Sequence, residues 1–176
     1  GLDMSLISFE TALAQLLAAV QPIRELEWAD TEHACGRTLA SDVLSPIAIP
    51  ALDTSTMDGY AVRTEDVTEA GVSLPIVQRI PAGTVGHALE PGTAARIFTG
   101  APLPAGADAV VMQELCEHDH DRVIFQHRPH VGEAVRRAGS DIAQGSCVLK
   151  AGTRLGAQHI GVAAAIGMAQ LPVWRR

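Results

Sequence analysis

The sequence predicts an α+β chain that is mostly β, with short strands set between two helical ends. Residues 72–126 break into short apolar runs separated by Pro/Gly turn signals. An apolar 3.6-residue rhythm near the N-terminus and a glycine-bounded stretch near the C-terminus supply the helices. Hydrophobic residues make up 47% of the 176 but aromatics only 3%, so the core must be built mainly from Ala, Val, Ile and Leu. That length allows one ordinary domain or two small ones.

Taken in order, Ser8 is placed to cap a helix with apolar positions Phe9, Leu13, Leu16, Leu17 and Val20, which Pro22 stops. Gly1-Leu2-Asp3-Met4 fits either a cloning scar ahead of Met4 or native chain. Asp30 or Thr31 could open a short helix running to Leu39. Residues 45–58 hold two prolines and little periodicity, so they read as an extended connector. Four strands follow, in "SLPIVQRI", "TAARIF", "ADAVVMQEL" and "DRVIFQ". Turn signals separate them at Pro81-Ala82-Gly83, Pro91-Gly92, Pro104-Ala105-Gly106 and Asp119 to Asp121. Short strands at this spacing suggest a small barrel or sandwich. A second helix is expected at about Ala157 to Ile166, between Gly156 and Gly167, and "AQLPVWRR" reads as a closing strand. A helix feeding a strand on which the chain stops suggests a cut at a domain border.

Charge narrows the function classes. Lys and Arg total 13 against 20 Asp and Glu, a net charge of −7, and the pI is near 5.4. Such a surface argues against a general nucleic-acid or anionic-membrane partner, yet leaves room for a local cationic pocket for a phosphorylated small molecule. No apolar run approaches the roughly 20 residues that a membrane helix needs. Three dispersed cysteines, Cys35, Cys116 and Cys147, form no CxxC pattern and fit a reducing, cytoplasmic setting.

Several stretches could carry chemistry. In "DTSTMDGYAV", Asp53 and Asp58 suit turn geometry, or a carboxylate that holds a cation or orients water. The Asp58-Gly59 step allows close backbone approach, which suits a ligand. In "RIFTGAPLPAGADAVVMQE", Thr99-Gly100 follows an apolar strand and could offer a hydroxyl and backbone N–H groups to an anion. It is not a P-loop, because no lysine follows. Glu114 ends the run "AVVMQ". In "RRAGSDI", Arg136 and Arg137 precede Asp141 and could bind phosphate or carboxylate, or form a structural ion pair. His118, His120, His127 and His130 lie near Cys116, but Cys-x-His-x-His is an uncommon zinc spacing. "EHDHD" reads as a polar hairpin tip. Cys35 and Cys147 have no nearby histidine to activate them as nucleophiles.

These motifs, in this order and near this spacing, strongly resemble the N-terminal region of the MoeA family, the molybdopterin molybdenumtransferases, to which gephyrin is related. The resemblance runs from about Ser5 to Arg176. The family's Asp-Asn-Ser-Ala is here Asp53-Thr54-Ser55-Thr56, and its Arg-Gly-Glu-Asp is here Ala138-Gly139-Ser140-Asp141, with serine in place of a carboxylate. The resemblance implies a small barrel-like domain, residues 46–135, inserted into an elongated α/β domain made of residues 1–45 and 136–176. It implies an enzyme that inserts molybdate into adenylylated molybdopterin and releases AMP, dependent on Mg2+, working as a homodimer and supplied by a molybdopterin adenylyltransferase. The main substrate pocket would lie in a downstream α/β domain absent from this chain, so the fragment alone is expected to be inactive. By the same resemblance, Asp58 would hold a cation or orient water, with Asp141 as its partner carboxylate. Thr99, Gly100 and Glu114 would face the substrate, and Arg136 and Arg137 would contact phosphate or molybdate. The other readings are a non-catalytic dimerisation or partner-binding module of the gephyrin type and, through the histidines, a zinc-binding domain.

Overall fold

A computed structural model describes residues 7–175; the Gly1–Met4 stretch lies outside the described residues. Helix α1 (Phe9–Ala19) is followed by strands β1 (Leu26–Asp30), β2 (Val43–Leu44), β3 (Thr54–Ser55), β4 (Gly59–Val62), β5 (Ser73–Ile80), β6 (Ala94–Ile97), β7 (Ala109–Met112), β8 (Cys116–Asp119), β9 (Arg122–Phe125), β10 (Val135–Arg136) and β11 (Cys147–Leu149). Helix α2 (Ala157–Ala165) and strand β12 (Gln170–Trp174) complete the order. Among the described residues no helix is long and apolar enough to cross a membrane.

The chain divides into two compact units, residues 1–43 with 149–176 and residues 44–148. The second crossing lies thirteen residues beyond the 135/136 boundary expected from the resemblance. The intervening residues include Arg136, which pairs with Thr54 through β10 and β3 and so belongs to the central unit.

In the terminal unit, Ser8 caps α1 by accepting the Thr11 N–H at 3.1 Å. The helix buries no residue of its own, and Phe9, Leu16 and Leu17 stay exposed. The helix expected from Asp30 or Thr31 to Leu39 is a single 3-10 turn, Thr31–His33. Gly36 turns the chain with a positive φ of 79°, and Leu39 leaves to bridge Val173. Strand β1, "LEWAD", carries no buried apolar alternation: Leu26 and Trp28 are exposed, and Glu27 and Ala29 are half-buried. It pairs antiparallel with β12, from Leu26↔Trp174 to Asp30↔Gln170. Ala34, Leu39, Leu155, Ala163, Ile166, Leu171 and Val173 are buried here.

The central unit is a six-stranded mixed sheet in the order β7-β4-β6-β5-β9-β8, curled into a half-barrel. Within this sheet only the β5–β6 pair is parallel; a register shift between Ile76 and Gln78 lets β5 pair with β9 through its first residues and with β6 through its last. Strand β4 is buried throughout, as a central strand covered on both faces must be. Tyr60 and Val62 join a core with Val111, Val123 and Phe125 on one face. Ala61 joins Ile80, Ile97 and Val110 on the other. Tyr60 meets Phe125 edge to face at 6.4 Å between ring centroids. The "EHDHD" stretch is more ordered than a hairpin tip. Glu117 and His118 pair with Ile124 and Val123, and only the turn around His120, at φ 53°, forms the tip. An edge strand tolerates such polar residues because its outer side faces water.

Candidate functional site

The loop 53–58 is the hub of the central unit, because its backbone and both carboxylates are used by three other segments. Ser55 N–H donates to the Ala101 carbonyl at 2.9 Å, and Gly100 N–H donates back to the Ser55 carbonyl at 2.8 Å. Thr56 N–H reaches the Ala134 carbonyl, and Leu103 N–H reaches the Asp53 carbonyl, both at 2.9 Å. The buried Ser55 hydroxyl closes the loop on itself, donating to the Met57 carbonyl at 2.6 Å. Gly100 sits at φ 82°, a backbone conformation that a side chain would strain.

Asp58 Oδ1 accepts two hydrogen bonds from one residue, the Thr99 N–H and the Thr99 hydroxyl, each at 2.8 Å. The backbone N–H first, then the hydroxyl, hold this carboxyl below the ordinary Asp value, with a smaller contribution from Arg96. Asp58 is therefore ionised at neutral pH. A carboxylate so stabilised is a poor proton acceptor but a good cation ligand. Its Oδ2 makes no hydrogen bond or ion pair among the described residues.

Asp53 ties the loop to the arginine segment. Its Oδ1 accepts the Ala138 N–H at 2.8 Å and its Oδ2 accepts from Arg137 Nη1 at 2.6 Å. These bonds, the Ala138 N–H first, lower its pKa from 3.8. A lowered folded value means that the stabilisation is complete above the ordinary pKa and is lost as pH falls from about 4 through the folded value. Partly exposed pairs of this kind contribute roughly 0.2–1 kcal/mol. Asp53→Asn is expected to lower the neutral-pH unfolding midpoint slightly and to flatten its decline below about pH 4; equilibrium denaturation across that pH range checks it.

Arg136 donates to Asp141 Oδ2, and this bond holds the Asp141 carboxyl low and raises the guanidinium. Asp141 N–H donates to the Ile49 carbonyl at 3.0 Å. Ser140, where the family pattern has a carboxylate, places its hydroxyl 3.4 Å from Asp141 Oδ1. Among the described residues no hydrogen bond or ion pair joins Asp58 to Asp141, nor either arginine to Asp58. The fold thus gathers Asp58, Thr99 and Gly100 into one cluster and ties Asp53 to the segment that carries Arg136, Arg137 and Asp141. Glu114 stands on the 3-10 turn after β7 and accepts from Gln113 Nε2 at 3.3 Å. Gln113 N–H in turn binds the Asp58 carbonyl at 3.0 Å.

The four histidines do not gather into one site. His120 pairs with Asp119 at 2.7 Å at the hairpin tip, and His127 and His130 both contact Glu133 Oε2, at 3.0 and 2.9 Å. Among the described residues no group of three or more His, Cys, Asp and Glu could hold a metal ion. Burial, chiefly, pushes the Cys116 thiol up to about 12, so it stays protonated at neutral pH and is no nucleophile. A Mg2+ ion held mainly by substrate phosphates needs only one or two carboxylates from the protein, and Asp58 Oδ2 fits that demand.

Two residues escape the sequence reading, Arg79 and Arg96. Both precede a buried isoleucine at the end of a strand, in "QRI" and "ARI", and that repeated pattern is the available signal. A strand arginine beside a buried isoleucine otherwise reads as the solvated side of the alternation.

These features define a mostly β, two-unit scaffold that presents a carboxylate and arginine loop cluster beside its sheet. The chain belongs to the MoeA N-terminal region family (domain I and II), whose model matches residues 7–167. It is 40% identical over 172 residues to molybdopterin molybdenumtransferase 2 of Mycobacterium tuberculosis, covering 95% of this chain and 42% of that protein. It is 44% identical over 158 residues to the molybdopterin molybdenumtransferase of a Nostoc species, covering 87% and 36%. The crystal structure of the molybdopterin biosynthesis MoeA protein from Pyrococcus horikoshii superposes with a TM-score of 0.89 at 33% identity, over 98% of this chain and 45% of that one. The chain spans less than half the length of these relatives.

Proposed function

We propose that this chain is the N-terminal part of a molybdopterin molybdenumtransferase, which inserts molybdate into adenylylated molybdopterin and releases AMP. The observation that carries this reading is the clustering of the three motif segments around loop 53–58, in a chain 40% identical to a relative of that name. Asp58, kept ionised by Thr99, would hold Mg2+ against the substrate's phosphates. When bound, the ion would offset the negative charge that develops as the phosphoanhydride is cleaved. Thr99 fixes the rotamer of Asp58, and Gly100 lets the loop return to the sheet without strain. Arg136 and Arg137 are largely exposed, and their unused N–H groups can meet an anionic substrate. Asp141 and Asp53 act by aiming those arginines, so Asp141 is a positioning residue in this reading.

The full protein would work as a homodimer in the cytoplasm, taking its substrate from a molybdopterin adenylyltransferase. The exposed apolar face of α1, with Phe9 at 76% and Leu16 at 68% exposure, supports an association surface. The test is AMP release from adenylylated molybdopterin in the presence of molybdate and Mg2+. The longer protein containing this chain is expected to release AMP in a molybdate-dependent way, and residues 1–176 alone are not. A longer protein that binds partners but releases no AMP would leave the non-catalytic module as the reading.

A further inference from the structure

Arg79 on β5 and Arg96 on β6 stand directly opposite one another in the parallel register. Like charges in that position repel and destabilise a sheet. Neither guanidinium has a carboxylate within ion-pair distance among the described residues, although the chain carries 20 acidic residues. Among the described residues Arg96 donates only to neutral acceptors, Gln113 Oε1 at 2.6 Å and the Gly59 carbonyl at 3.4 Å. Arg79 makes no hydrogen bond or ion pair there. Instead both guanidiniums lie over the Phe98 ring, at 4.5 and 4.7 Å from its centroid, and Arg96 also lies 5.1 Å from that of Tyr60. The ring faces soften the repulsion but leave the N–H edges of the guanidiniums underused.

These arginines line a groove of about 710 Å3. Ile76, Val77 and Cys116 give it an apolar flank, and His118 adds a polar side chain that makes no hydrogen bond among the described residues. That volume is in the range of small-molecule sites and far beyond a single ion. Paired guanidinium forks match the oxygens of a phosphate.

We propose that this groove binds a phosphate monoester of a small organic molecule, the phosphate between Arg79 and Arg96 and the organic part along Ile76, Val77 and Cys116. The site does not use Asp58, Thr99 or Asp141, and it stands whether or not the chain serves a transferase. Gln113, which bonds Arg96 through its side chain and Asp58 through its backbone, makes the groove a neighbour of the loop cluster.

The probes are phenyl phosphate, inorganic phosphate and a short polyglutamate peptide, titrated calorimetrically into this chain at low salt. Phenyl phosphate is expected to bind at least tenfold more tightly than inorganic phosphate. Arg79→Gln is expected to weaken phenyl phosphate at least tenfold, and Arg96→Lys to fall between it and the unaltered protein. Arg79 is exposed, so the Gln variant should fold, and without ligand its unfolding midpoint should not fall, because a repulsive pair is removed. Phenyl phosphate should raise the midpoint of the unaltered protein and not of the variant. No binding at millimolar phenyl phosphate, or equal binding by Arg79→Gln, overturns the site. Inorganic phosphate binding as tightly as phenyl phosphate overturns the organic part. Tighter, Arg79-dependent binding of polyglutamate overturns the small-molecule assignment in favour of an acidic protein segment.

Discussion

Gly59→Ala is expected to destabilise the central unit by more than about 3 kcal/mol, or to prevent its folding. A Cβ at position 59 would lie 2.1 Å from the Val111 carbonyl oxygen, 2.9 Å from the Val111 carbonyl carbon and 3.0 Å from Met112 Cα. All three are backbone atoms of β7, so no rotamer change relieves the clash. The strands would have to separate where Gly59 pairs with Met112 on one side and Ile97 on the other. That break would sit beside Asp58 and under both hydrophobic clusters. Gly161, on α2, is the internal control, because a Cβ there would have nothing within 4 Å. At that position alanine should stabilise by about 0.5–1 kcal/mol, through helix propensity. The two compact units make a single two-state midpoint unsafe. Both tryptophans, Trp28 and Trp174, lie in the terminal unit. Denaturation of Gly59→Ala should therefore be followed by circular dichroism and by Tyr60, with tryptophan fluorescence reporting separately on the terminal unit. A Gly59→Ala protein with the unaltered midpoint in the central unit would contradict this account of the glycine.

The second large effect is expected on activity. In the longer protein, Asp58→Asn should slow AMP release by roughly 100-fold or more, the scale of losing one group that stabilises developing negative charge, here through the cation that Asp58 would hold. The asparagine Oδ1 can still accept both Thr99 hydrogen bonds, so the loop should keep its shape and the unfolding midpoint should fall only slightly, by the loss of the charge that those bonds favour. What disappears is the negative charge at Oδ2. The rate should accordingly demand more Mg2+ in the variant, and excess Mg2+ should recover part of it. Thr99→Val makes the complementary case. It removes the hydroxyl but keeps the backbone N–H, the larger of the two influences on the Asp58 carboxyl, so the loss should be smaller than for Asp58→Asn. If Asp58→Asn released AMP at the unaltered rate and Mg2+ dependence, Asp58 would be a structural loop residue only.

The glycine shows how far local reading reaches. Asp-Gly in "MDGYAV" announces a close backbone approach, and the close approach is there. The body that approaches is strand β7, distant in the chain, rather than a ligand. The same holds for "DTSTMD": the carboxylates suit either turn geometry or ligand binding, and no spacing in the sequence says that Asp53 will meet Ala138 and Arg137. Those contacts span more than 80 residues and exist only because β3 and β10 pair.

What the sequence by itself determined is local in origin. Helix α1 is legible from Ser8 and its 3.6-residue rhythm, and α2 from its flanking glycines. Strand β5 is legible residue for residue, because apolar runs and Pro/Gly turns act within a few residues. The motif order also carries the family. Only the tertiary structure decided the strand order, the parallel β5–β6 pair, the split at residues 43/44 and 148/149, and the Arg79–Arg96 juxtaposition. Strand β1 and the polar edge strand β8 stay hidden because they are stabilised by partners distant in the chain or by an edge position rather than by their own pattern. The physical reason is that pairing free energy depends on what lies across the ladder, and a one-dimensional pattern names no partner.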